Sequence, residues 1–267
     1  MRLQLTVKDK QGTALMSALG EQEAILAYEP EYKEGDYLLI ESDGQNVFLL
    51  LQLDDAIMPA FVYLSGQQYT LQIPFGEKRK PYSPRAFMGT HHVLCVRFAT
   101  DDEIQMRKNL AFNPYDEHEN HSLFPHASAN VETRGESVFA ARNAIDGIKC
   151  NHNHGEWPFQ SWGINQNPDA EIKIDFGRAV SINQALIYLR ADFPHDSWWE
   201  QVTLMFSDGS QLDAPLIKTS EGQSVMFESR TVNWIKMNRL IKSNNPSPFP
   251  ALTQIELYGT EDWKENI

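Results

Sequence analysis

Short runs of β-branched and aromatic residues return along this chain about every ten residues, each closed by a turn signal, and that rhythm admits few folds besides β-sandwiches and barrels. In the first part it predicts strands over 3–7, 24–27, 37–40, 47–53, 60–63, 69–73 and 92–99. Asp43-Gly44 and Ser65-Gly66 tolerate the positive φ that tight hairpins need. Over 76–89, GEKRKPYSPRAFMG has two prolines and no periodicity and reads as a loop, with Lys78-Arg79-Lys80 on a solvated surface. The alternation fades over 101–120, which places a domain boundary near Met106, and resumes with strands over 171–176, 184–190, 202–206, 224–228, 234–237 and 253–258. A short turn is expected around 138–144. The expected architecture is all-β, with two β-sandwich (jelly-roll-like) domains over 1–106 and 107–267.

Charge narrows the partners. The net charge of −13 is spread over both halves, a field that repels a phosphate backbone, so nucleic acid is not the expected partner and neutral ligands are favoured. The longest apolar run, Val47 to Leu53, is far shorter than the ~20 residues a membrane helix needs. Two cysteines, Cys95 and Cys150, are too few for a disulfide framework. Together with a first segment that alternates like a strand instead of forming an export signal, they predict a cytoplasmic protein, or an extracellular one if a leader has been removed.

An ordered series of landmarks follows: Asn109-Leu110-Ala111, Ala127-Ser128-Ala129, AARNAIDG over 140–147, Trp162, IKIDFG over 172–177 and LTQIELYG over 252–259. Ile172, Ile174 and Phe176 share one face of a strand, with Lys173 and Asp175 on the other. The series resembles the discoidin, or coagulation factor V/VIII C-type, domain, and within it the galactose-binding-like carbohydrate-binding modules. The resemblance covers roughly the last 150 residues. It implies a structural calcium ion held by Asp146, Asn151 and Glu256, with main-chain oxygens near Asn143, Ile148 and Thr253 completing the shell. Lys149 is an awkward neighbour for that cation.

The resemblance also brings to one end of the sandwich two loops, CNHNHGEWPFQSWG over 150–163 and RADFPHDSWW over 190–199, which hold four of the six tryptophans. Sugar recognition needs a flat aromatic face and a fan of polar groups for the hydroxyls. Trp157, Trp198 and Trp199 are candidates for the face, although one of the last two should turn inward because strand neighbours alternate. His152, His154, Gln160, Arg190, Asp192 and His195 are candidates for the fan, with Arg190 and Asp192 as its central pair. The expected function is therefore non-catalytic binding of a neutral sugar. A homo-oligomer would suit it, since multivalency raises weak affinity. Three other readings compete: a protein-interaction module, a metal site on Cys150, His152, His154 and His195, and a glycoside-active enzyme drawing on Glu156, Asp192 and Asp196.

Overall fold

A computed structural model of the chain describes residues 1–153, 155–190, 193 and 195–262. Eight strands build the first sandwich: β1 (Leu3–Lys8), β2 (Ala14–Gly20), β3 (Glu23–Tyr28), β4 (Tyr37–Ser42), β5 (Val47–Gln52), β6 (Ala60–Leu64), β7 (Gln68–Gln72) and β8 (His92–Phe98). They form antiparallel sheets of order β2-β1-β4-β7 and β6-β5-β8-β3. Leu3, Leu5 and Val7 alternate inward from β1 and meet Leu49, Leu51, Val62 and Leu94 in an aliphatic core. A helix, α1 (Asp101–Gln105), follows, opened by a capping box in which Thr100 and Glu103 satisfy each other's backbone N–H.

The connecting segment serves both cores. β9 (Lys108–Asn109) pairs with the last strand of the chain, whereas β10 (Leu123–Phe124) pairs with β6 and extends the first sandwich. Between them Leu110 and Ala111 join the second core, and Tyr115 and Leu123 join the first.

The second sandwich contains β11 (His126–Ala129), β12 (Trp162–Gly163), β13 (Ile172–Leu189), β14 (Trp199–Phe206), β15 (Gln211–Pro215), β16 (Gln223–Lys242) and β17 (Ala251–Glu261). β13 and β16, 18 and 20 residues long, run through both layers. The first stretch of β13 pairs with β11 and the end of β16, and its second stretch with β17 and the start of β16. The register breaks between Asp175 and Val180, where the strand turns from one layer to the other. Gly177 makes that corner: its φ is +65°, and a Cβ there would lie 2.3 Å from the Phe124 ring.

The all-β architecture agrees with expectation, but three details differ. β2, β15 and the two-residue strands β9, β10 and β12 are absent from the predicted strands, and each of the long strands is expected as two separate ones. The expected turn at 138–144 is a pair of 3₁₀ turns, Ser137–Phe139 and Ala141–Ile145.

A basic and aromatic seam joins the sandwiches. Arg178, from β13, makes two hydrogen bonds of 2.7 and 2.5 Å to Glu261, and its guanidinium lies 5.2 and 5.1 Å from the Phe48 and Tyr63 rings of the first sandwich. Lys108 adds an ammonium 4.2 Å from the Phe61 ring.

Candidate functional site

The loop over 150–163 begins at the landmark Ala-Ile-Asp-Gly. Ala144 and Ile145 are buried in the second core, and Gly147 reverses the chain at φ +87°, where a Cβ would lie 2.5 Å from Phe112 and 2.8 Å from Met58. The loop closes on itself where His152 N–H donates to the Pro158 carbonyl at 2.8 Å. Its far end is tied down by Gln160, whose amide donates to Asp146 Oδ2 at 3.0 Å, and by Trp162, whose indole N–H donates to the Val131 carbonyl. Between these anchors Trp157 is carried out, half-buried, to the wall of a cleft of about 1730 Å³ between the two sandwiches.

Aromatic rings come to that cleft from both sides: Tyr82 from the first sandwich, and Phe139, Trp157 and Phe159 from the second. Val138, Phe139 and Phe159 form a small apolar cluster of their own along it. Polar groups are interleaved with the rings. The Arg142 guanidinium lies 4.5 Å from the Tyr82 ring and is fixed by donating to the Pro114 carbonyl at 2.6 Å and the Asp116 carbonyl at 2.8 Å. Glu132 accepts from Ala141 N–H at 2.7 Å and lies 3.0 Å from His118 Nε2. Burial raises the Glu117 carboxyl to about 7, against the opposing pull of the Arg142 and Lys78 charges. The indole N–H of Trp157 is buried without a hydrogen-bond partner among the described residues.

The residues expected to contact a ligand divide sharply. Trp199, the first residue of β14, is 0% exposed and lies 6.4 Å from Trp162 in the core, so it presents no face to a ligand, whereas its neighbour Trp198 is half-buried at the edge of that core. Gln160, 3% exposed, is engaged with Asp146 and serves as scaffold. Arg190 is also 3% exposed, and a carboxylate oxygen of buried Asp196 lies 3.5 Å from its Nε. The expected pairing of Arg190 with Asp192 falls outside the described residues, as do Asp192 itself and His154. His152 and His195 are exposed, and His195 stacks on Phe249 with ring centroids 5.4 Å apart. Trp198 is half-buried, edge-on to Phe193 at 6.3 Å, with the Lys218 ammonium 5.4 Å from its ring. Among the described residues, Trp157 alone of those expected to contact a ligand lines the cleft.

Each of the expected calcium ligands has a hydrogen-bond donor beside it. Asp146 accepts from Ile148 N–H at 2.8 Å through Oδ1 and from Gln160 through Oδ2, so both its oxygens face donors. Burial also raises this carboxyl to about 7, which favours its neutral form. Asn151 Oδ1 accepts from the Thr253 hydroxyl at 3.3 Å. Glu256 Oε1 lies 2.6 Å from the Lys149 ammonium, and Oε2 accepts from the Tyr258 hydroxyl at 3.2 Å. Among the described residues no three His, Cys, Asp or Glu side chains gather as a metal-binding group. The Cys150 alternative rests partly on His154, outside them. Of the carboxylates considered for glycoside chemistry, Glu156 is exposed and Asp196 is sealed against Arg190.

The cleft itself went unseen in the sequence. Tyr82 lies in the segment 76–89, which reads as a loop, and Glu117 in the stretch 101–120, where the strand alternation fades.

No family model matches the chain, and no curated protein matches it by sequence. Solved structures do. A chitosan-binding module from a chitosanase/glucanase of Paenibacillus sp. IK-5 is 19% identical, over 58% of this chain and 100% of that one, with a TM-score of 0.38. A family 32 carbohydrate-binding module from C. perfringens, solved with galactose, is 16% identical over 49% of this chain and 91% of its own, with a TM-score of 0.39. The lectin domain of lectinolysin, solved with Lewis B antigen, is 18% identical over 57% and 97%, with a TM-score of 0.42.

Proposed function

We propose that this protein binds a neutral carbohydrate, without turning it over, in the cleft between its two sandwiches. The observation that carries the reading is the position of Trp157, held out by a loop anchored at both ends, in a cleft that also presents Tyr82 and Phe139. Aromatic rings offer flat apolar faces to the C–H side of a pyranose. Arg142, Glu132 and Glu117 supply fixed donors and acceptors for its hydroxyls. Five basic and six acidic side chains line the cleft, a near balance that suits an uncharged ligand better than an anion. Its volume exceeds that of a site for a drug-sized molecule, ~300–1,000 Å³, and leaves room for several sugar units.

The test is a calorimetric screen of the purified protein against neutral mono- and oligosaccharides, followed by the hit with Trp157→Ala and, separately, Trp198→Ala. Binding lost in the first and kept in the second supports the cleft. Binding lost only in the second moves the site to the 190–199 loop, and no hit with any neutral sugar overturns the reading. Recovery of the bound oligosaccharide uncleaved after long incubation is the expected result, and its hydrolysis would assign catalysis instead.

A further inference from the structure

We propose that the Lys149 ammonium is the resident cation at the start of the 150–163 loop, taking the place that the resemblance assigns to calcium and making this sandwich independent of metal. Glu256 is 4% exposed on β17, where its carboxylate needs a counter-charge. Lys149 provides one, with Nζ 2.6 Å from Oε1 and 5.4 Å from the centre of the Tyr188 ring, while the Tyr258 hydroxyl satisfies Oε2. Calcium would need about six to eight oxygens converging on one point. Here the side-chain oxygens that would have to converge each face a donor instead: Ile148 N–H and the Gln160 amide at Asp146, the Thr253 hydroxyl at Asn151, and Lys149 at Glu256.

The arrangement positions the cleft wall. Lys149 with Glu256 and Asn151 with Thr253 pin the beginning of the loop to β17, and Gln160 with Asp146 pins its end. The chain thus fixes, with its own side chains, the segment that presents Trp157. This internal cation is present whether or not a sugar is bound.

The experiment is thermal unfolding of the purified protein, with no sugar present, in EDTA and in excess calcium chloride, with elemental analysis of the same preparation. The expected results are coincident transitions for the wild type and no stoichiometric calcium. A wild-type transition raised by calcium or lowered by EDTA, or a bound calcium ion, overturns the proposal. Lys149→Met leaves the Glu256 carboxylate without its ammonium, so its transition should fall; an unchanged transition also overturns the proposal. Should that variant fail to fold, Lys149→Met combined with Glu256→Gln removes both charges. The double variant should fold and ignore calcium, and its failure to do so counts against the ammonium as the group that the carboxylate requires.

Discussion

The two sandwiches solve the same packing problem with different materials. The first fills its interior with Leu, Val, Ile and Tyr from short strands, and the segment up to residue 106 contains no tryptophan. The second stretches two long strands through both layers, packs Trp162 against Trp199, and buries Asp146, Gln160, Arg190, Asp196, Gln254 and Glu256. Most of these buried polar groups belong to the 150–163 and 190–199 loops or to the strand ends they meet. Polar residues rich in recognition chemistry are therefore largely engaged in holding the loops. Trp157 is the clearest case of a side chain that such scaffolding holds out into the cleft.

The sharpest way to break this division is to exchange the two kinds of tryptophan. Trp199→Ala empties a fully buried site and should cost ~3–5 kcal/mol of unfolding free energy, read from urea denaturation. Trp157→Ala should leave the urea midpoint nearly unchanged while abolishing sugar binding. If the two variants destabilise equally, the distinction between scaffold and exposed tryptophan fails.

A smaller effect is expected at the seam. Arg178→Ala leaves Glu261, whose side chain is 2% exposed, with only the Lys108 ammonium at 3.9 Å among the described residues, and removes the cation from the Phe48 and Tyr63 rings. The expected cost is about 3 kcal/mol. It should appear as a loss of coupling, with the first sandwich unfolding apart from the second and the single urea transition splitting. A single, merely shifted transition would mean that the pair stabilises the second sandwich alone.

These contrasts also account for what was legible in the sequence. The aliphatic alternation of β1 and the IKIDFG run of β13 announce themselves, because a half-buried strand imposes a period of two on its own residues. β2 does not: ALMSALG has no β-branched residue and is exposed along most of its length, so its strand conformation comes from pairing with β1. β13 and β16 read as two strands each because polar stretches, Gly177-Arg178 and Ser229-Arg230-Thr231, cross the corners between layers. For the site, residue type pointed to the two loops and could not tell a tryptophan facing the core from one facing a cleft. The cleft is made by residues more than 70 positions apart in the chain, Tyr82 and Trp157, and no local pattern encodes their meeting.

The mildest test concerns the polar floor of that cleft. Glu117 has an ordinary value of 4.5, which burial raises to about 7 in the folded protein; Asp116 pushes in the same direction, while Arg142, Lys78 and a hydrogen bond from the Gln72 backbone pull it back. Between those two values the folded protein holds a proton that the unfolded chain has released. Stability from this group is therefore fully present below about pH 4.5 and declines as pH rises through about 7. Glu117→Gln keeps the neutral shape at every pH, so it should match the wild type at the acid end and become the more stable of the two at the alkaline end. Asp146 and His126 titrate in both proteins, so the difference between the two urea series isolates Glu117. Parallel curves across the window would mean that water reaches this carboxyl freely, and that the floor of the cleft is as open as its mouth.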